Sequence, residues 1–550
     1  MELVNDRPDR SLFKRFDLPH YLRYRYVPVK LEGSILTIAT TSPSQALRHD
    51  VSRRTGHAVE MAVTSPRDLS AILDHYGELG IKRRATHQLR IQHKHLSASR
   101  TLLPFQSKAL ILLLFLLLGA FLWDMEQSWN ILLAGCNLFY FVALAFKLQL
   151  YSQGMIGARD MKRLEKKLAL DGAALKEEDL PVYSILVPLY GESSAVMEKL
   201  IGHLNALQYP KEKLDIKLVT EGDDEATLNA LMALKPPETM EIVRVPPSLP
   251  RTKPKACNVA LDRVRGEFLV IFDAEDAPAP DQLRKAVALF RSERGDLACV
   301  QSPLNYYNRA ENLLTKLFAL EYSSLFRILL PALERMKLPI PLGGTSNHLR
   351  VEALTQCGGW DAFNVTEDAD LGIRLAYFGY RTRILPSITL EEAPVKLGAW
   401  MKQRTRWIKG YIQTWLVYMR DPIALKGRLG LRAYYGFQFF VGAPALTFLL
   451  APILWGVFIV APLGLLPTRL SPYMLTLCAI SFVGGVAINW VYARAVLRLE
   501  KWDGMADACM LFPFYWLLHS FACARALWQL ARNPHYWEKT THGVSRLLRK

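Results

Sequence analysis

The sequence predicts an α/β fold: a doubly wound, mostly parallel sheet flanked by transmembrane helices, with a small α/β module ahead of it. Three observations predict this. Strand-like and helix-like segments alternate from residue 182 to 276, nearly continuous apolar runs of bilayer length stand on both sides, and a shorter alternation occupies residues 25–76.

The first module is read from VPVKL, a Gly-Ser turn, ILTIAT, a helix begun by proline, AVEMAV, and a second helix begun at Ser65-Pro66. With the basic stretch KRRATHQLRIQHKHLSASR (82–100) it makes residues 1–100 one unit and a basic linker. The runs KALILLLFLLLGAFLW (108–123) and ILLAGCNLFYFVALAF (131–146) form a transmembrane hairpin within 105–150. A charged connector without a motif fills 151–180, a soluble domain 181–420, further apolar runs 434–463, 473–495 and 505–529, and a basic tail 531–550. The last run is weakened by Asp507, Pro513 and His519.

Within the soluble domain VYSILVPLY (182–190) is apolar throughout, as strands of a parallel sheet buried on both faces are. A helix near 195–207, the strand LDIKLVTEGDDE (214–225), a helix, EIVRVPP (241–247), another helix and EFLVIFDAED (267–276) continue the pattern. Ligands of such a sheet bind beyond the carboxyl ends of its strands.

The chain is 51% hydrophobic with a formal charge of +17. The N-terminal MELVNDRPDRSLFKRF lacks the apolar core of a secretory signal, and the basic 82–100 precedes the first span, so the positive-inside rule expects a cytoplasmic N-terminal unit and soluble domain in a multi-pass protein of the bacterial inner (plasma) membrane. The charge is read as topology and attraction to membrane lipid, and nucleic acid is not an expected partner. Five apolar runs, counted simply, leave the basic tail outside; a cytoplasmic tail requires that 434–463 cross twice or that 505–529 be re-entrant. The seven cysteines show no metal spacing.

Carboxylates gather at strand or loop ends in three places: Glu221/Asp223/Asp224, Asp273/Glu275/Asp276 and, in WDAFNVTEDADLG, Glu367/Asp368. QRTRW (403–407) adds cations and an aromatic immediately before the spans resume. In this order, with VPLYGE (187–192) at the first strand end, the segments resemble membrane-integrated family 2 glycosyltransferases, the cellulose- and hyaluronan-synthase-like group, over roughly residues 180–420 and the flanking spans. The first module resembles the N-terminal domain of type II secretion ATPases. Some relatives of that module bind cyclic di-GMP, but the helical repeat that carries the nucleotide is not evident here, so docking of a protein partner is expected ahead of cyclic di-GMP binding.

The resemblance implies a type A glycosyltransferase domain that binds a nucleotide-sugar donor, expected to be UDP-linked, and inverts the anomeric centre. A departing diphosphate needs its charge neutralised, which Mg2+ or Mn2+ on hard oxygen ligands does. The DxD-like positions are Asp273 and Glu275, with Asp276 a further ligand. Glu221 or Asp223 would accept hydrogen bonds from base or ribose, Lys255 and Asn258 would stand near the diphosphate, and Gly344 in PLGGTSNHLR would lie on a glycine-rich turn against the donor sugar, with His348 a contact to phosphate or sugar. Asp368, beside Glu367, would be the base that takes the acceptor proton. Arg404 and Arg406 would pair with the diphosphate, Gln403 would hydrogen-bond the acceptor, and Trp407 would stack on it. The segment EYSSLFRILLPALERMKLPIP (321–341) is expected to lie on the membrane surface. The expected activity is processive transfer to a growing exopolysaccharide secreted across the membrane; the alternative is single transfer to a membrane lipid acceptor. WEKTTHG near the C-terminus recurs in related transferases without a physical role assigned to it.

Overall fold

The computed structural model describes residues 8–15, 18–237, 239–463 and 471–538. Its first sheet is β1 (Tyr26–Glu32), β2 (Ile35–Thr40) and β3 (Ala58–Val63), with β1 antiparallel and β3 parallel to β2. Ser44 and Ser65 cap the helices Gln45–Thr55 and Pro66–Gln92, each side chain accepting a backbone N–H of the first turn. The second helix absorbs much of the basic stretch expected to be a linker. It packs on the helix Lys253–Leu261: Arg84 forks onto Asp262 at 3.1 and 2.9 Å, and Asn258 donates to Ala85 O (2.9 Å) and Trp360 O (2.8 Å) while accepting from Trp360 N (3.0 Å).

That geometry corrects the placement of Asn258. It joins the N-terminal helix to the loop before Glu367 and does not face a ligand. Asn258→Ala removes three buried partners at once, so we expect faster amide exchange over residues 85–98 and a stability loss of about 1–3 kcal/mol, measured by hydrogen exchange and thermal unfolding of the full chain.

The central sheet has β4 (Tyr183–Leu189), β5 (Leu214–Glu221), β6 (Met240–Val245), β7 (Phe268–Ile271), β9 (Leu297–Gln301), β11 (Asn347–Arg350) and β12 (Arg381–Ile384), where the short β8 (Ala277–Pro278), β10 (Leu304–Tyr306) and β13 (Thr389–Glu391) make a third sheet. The central order is β12-β9-β11-β7-β4-β5-β6. Every neighbouring pair is parallel except the two made by β11. Apolar residues alternate between the two faces: Leu186, Val219, Leu269 and Ile271 join one core, and Ile185, Val187, Leu218 and Val270 the other.

Residues 347–350, expected within a glycine-rich turn, are this antiparallel strand. His348 is therefore not a donor contact. It is fully buried, hydrogen-bonded to the Tyr183 hydroxyl at 2.7 Å, and burial pushes its ring down to about 3.

Among the described residues four helices are long and apolar enough to cross a membrane: Pro104–Trp123, Met125–Ala174, Leu431–Val460 and Pro472–Glu500. The second runs straight through the expected connector, its far end packing against the helix Gln282–Ser292. The third is continuous through a π turn at Gln438–Gly442, so the run 434–463 does not fold back on itself. Ala506–Arg532 is one helix but is not among the four; it packs on Leu397–Tyr418, which carries QRTRW. Residues 321–341 form the end of the helix Leu313–Ser324, a π turn and the helix Leu330–Arg335, wedged with apolar contacts on several sides between the long helix and the last two, and do not present an open amphipathic face.

Candidate active site

The carboxyl ends of β4, β5 and β7 open on one cavity, completed by the N-termini of two helices and one face of a third. Thr252 and Lys253 begin the helix Lys253–Leu261, and Glu367 and Asp368 begin Glu367–Tyr377, so both present unpaired backbone N–H groups where negative charge is favoured. Glu221, Asp273, Glu275, Gly344, Glu367, Asp368, Gln403, Arg406 and Trp407 all line the cavity, drawn together from segments up to 186 residues apart.

The loop NVTED is fastened to the QRTRW helix. Asn364 donates to Thr414 Oγ1 (2.9 Å), Gln413 Oε1 accepts from Val365 N (3.3 Å), and Gly410 packs directly on Thr366, leaving no room for a Cβ. Asp368 Oδ1 accepts its neighbour's N–H (Ala369, 2.8 Å), and a Cβ at Gly344 would sit 3.3 Å from Asp368 Oδ2. A glycine there keeps the space in front of that oxygen open. Burial raises the Asp368 carboxyl, and burial followed by repulsion from Asp368 lifts Glu367 to about 7. A base must be ionised to accept a proton, so the sign is that activity grows with pH. We expect kcat/KM to lose rate as pH falls through a value above the ordinary carboxylate range near ~4, because burial raises Asp368; a pH–rate profile measures the limb.

Besides Asn258 and His348, four expected residues do not reach the cavity. Asp276 is turned inward, its Oδ2 accepting from Asp273 N (2.7 Å) and from the Thr345 hydroxyl, and so closes the turn that presents Asp273 and Glu275. Lys255 is fully buried; its Nζ donates to Glu221 Oε2 (3.2 Å) and Ser248 O (2.9 Å), holding the carboxylate that lines the cavity without lining it. Asp223 stands at the exposed rim paired with Arg251, which does line the cavity. Arg404 points to the opposite side of its helix from Arg406. Its guanidinium lies 4.4 Å from the ring centroids of both Phe318 and Trp407 and donates to Glu321 Oε2 at 2.6 Å.

Four wall residues were missed. Lys253 Nζ donates to Asp273 Oδ1 (2.5 Å) and Gly344 O (2.6 Å); burial opposes its charge, but Asp273 and Glu367 outweigh burial and hold it protonated. It is two residues before the lysine chosen, and on a helix positions i and i+2 face different ways. Tyr322 stacks on Trp407 with ring centroids 5.7 Å apart. Glu391 lines the cavity from β13, its carboxyl raised by burial and by Asp276, Glu275 and Asp273. Trp537 comes from the WEKTTHG segment, of which 539–543 lie outside the described residues; the Arg406 guanidinium sits 5.3 Å from its ring centroid. Lys409 and Gln413 pin that tail by donating to Tyr536 O (2.7 Å) and Pro534 O (2.9 Å).

Among the described residues no three acidic, histidine or cysteine side chains converge as a ready-made cation cage. The donor set nonetheless fits a hard divalent ion that takes its remaining ligands from phosphate and water: Asp273 and Glu275 face the cavity, and Glu391 Oε1 is buried without a hydrogen-bond partner beside them.

A seven-stranded mixed sheet with acidic strand ends, a carboxylate-bearing helix start and an Arg/Trp helix face defines the class. The chain carries a family 2 glycosyltransferase domain: "Glycosyl transferase family 2" matches residues 184–350 and "Glycosyl transferase family group 2" residues 268–492, while an "MshEN domain" matches residues 1–81. Among curated relatives, beta-monoglucosyldiacylglycerol synthase of Trichormus variabilis is 28% identical over 55% of this chain and 62% of its own length. Probable glycosyltransferase YdaM of Bacillus subtilis is 25% identical over 53% of this chain and 70% of its own length. The chain thus spans about six tenths of the length of the first relatives it matches. Among solved structures, mannosyltransferase PcManGT of Pyrobaculum calidifontis, in complex with GDP-Man and Mn2+, is 18% identical with a TM-score of 0.44, covering 72% of this chain and 99% of that one.

Proposed function

We propose that this protein transfers a sugar from a nucleotide-sugar donor, with inversion, to an acceptor presented at the membrane, and that the acceptor is a glycolipid precursor. The observation that carries the transfer is the single cavity in which Asp273 and Glu275 face Asp368 and Arg406. Glu221 and the strand end Pro188–Tyr190 hold the nucleoside; Lys253, Arg406 and the helix start at Thr252 hold the diphosphate. Mg2+ or Mn2+ held by Asp273 and Glu275 would stabilise the leaving diphosphate. Asp368 takes the acceptor hydroxyl proton, and Gln403 and Trp407 orient the acceptor over Gly344.

The lipid acceptor is supported by the glucosyldiacylglycerol named for the relatives of Trichormus variabilis and Synechocystis. A processive polysaccharide product is the second reading, favoured by QRTRW with Trp407 in the cavity wall. Among the described residues four helices are of membrane length, an even number, which supports a catalytic domain and tail both on the cytoplasmic face of the bacterial inner membrane. The test is incubation of the purified full chain in lipid vesicles containing diacylglycerol with radiolabelled nucleotide sugars. We expect label in the solvent-extracted lipid, its loss with EDTA and its return with Mg2+ or Mn2+. Label in a high-molecular-weight, lipid-insoluble product would replace the lipid reading by the polymer one, and EDTA-insensitive transfer would remove the metal.

A further inference from the structure

A second cavity, of about 570 Å3, lies along the helix that begins with Glu367 and Asp368; Gly372 and Ala376 of that helix and Gly379 just past its end form part of the wall. Its charges are unbalanced. Three carboxylates face it, and two arginines consume them: Arg381 pairs with Asp296 (2.7 Å) and Glu293 (3.2 Å), and Arg383 with Glu293 and with Glu334 (2.7 Å), which also accepts from Ile384 N (2.9 Å). Arg294, Lys337 and Arg428 line the same cavity and make no ion pair among the described residues. The wall nearest Arg428 continues through Leu429 to Ala433, in the first turn of the membrane-length helix Leu431–Val460, beside the exposed apolar Ile423 and Leu431. Surplus cations in a roomy pocket at the start of a span match a phosphate group arriving from the membrane surface.

We propose that this cavity binds the phosphate of an anionic lipid headgroup, at a site lined by none of the residues of the donor cavity and set farther along the Glu367–Tyr377 helix. Arg294, Lys337 and Arg428, the last with its guanidinium 5.7 Å from the Tyr377 ring centroid, hold the phosphate, and the acyl chains leave along Leu429 and Leu431 into the bilayer. The binding does not depend on which acceptor the enzyme uses, because no residue of the first cavity takes part.

The experiment is native mass spectrometry of the full chain released from nanodiscs of phosphatidylcholine with a minor fraction of phosphatidylglycerol, compared with Lys337→Gln/Arg428→Gln. Each removed cation weakens lipid attraction roughly fivefold, so the pair should lower phosphatidylglycerol occupancy on the order of tenfold or more. Arg294→Gln, also exposed and unpaired, should give the smaller single-cation loss if the double variant folds poorly. A parallel arm titrates inorganic phosphate into phosphatidylcholine-only nanodiscs: phosphate bound there and lost in the variants keeps the site but assigns it a soluble anion. Equal phosphatidylglycerol retention by wild type and variants, with no variant-sensitive phosphate binding, overturns the proposal.

Discussion

Asp368→Asn should lower the turnover of sugar transfer by about 10²–10⁴-fold while leaving the donor KM within a few-fold of wild type. Asparagine keeps the size of the side chain and an oxygen for the Ala369 N–H, so the helix start at Glu367 should persist. What is lost is an ionisable oxygen on the cavity, opposite the Gly344 backbone, with no lysine or arginine among the described residues bonded to it. An acceptor hydroxyl then has no base. Had Asp368 been only a helix cap, the same substitution would cost little rate and mainly stability, because asparagine caps as well as aspartate. The split between kcat and melting temperature therefore separates the two roles.

The second large effect is expected from Arg404→Met. Arg404 is buried between Phe318 and Trp407 and pairs with Glu321, whose Oε2 also accepts from the Tyr515 hydroxyl (2.7 Å), itself bonded by Trp400 Nε1 (2.8 Å). Removing the cation strands a buried carboxylate, which costs about 3–5 kcal/mol. It also removes the plate that backs Trp407. We expect a lower unfolding temperature in detergent, weakened acceptor use, and recovery of most of the stability in Arg404→Met/Glu321→Leu, where the orphan charge is gone as well. A direct diphosphate contact would give a different pattern, a raised donor KM at unchanged stability.

The same helix shows how far the sequence could be read. QRTRW was legible as a motif, but its five letters do not act together. At about 100° per residue, positions 403, 406 and 407 share one helical face and position 404 lies on the other, and the cavity takes the first three. Knowing that the motif sits on a helix would have been enough. Likewise the lysine at position 253, at a helix start, was separable by spacing from the one at 255. The strands β4, β5, β6 and β7 were legible because apolar runs of that length in a chain alternating with helices have few other uses. β11 was not: NHLR is short and mostly polar, and only its neighbours β7 and β9 make it a strand. Asp276 could not be told from Asp273 and Glu275 by type, since the distinction is a turn in which one carboxylate closes the backbone and the others face out. Tyr322, Glu391 and Trp537 reach the cavity from far along the chain through packing, which leaves no local pattern.

If this cavity transfers an activated sugar with inversion, the product carries the opposite anomeric configuration to the donor. Proton NMR of the product formed by the purified, lipid-embedded chain from a panel of α-linked nucleotide sugars tests it most directly. We expect a β-linked anomeric signal from at least one donor, absent when Asp368→Asn replaces the wild type. An α-linked product, or a β-linked one formed equally well by Asp368→Asn, would contradict it.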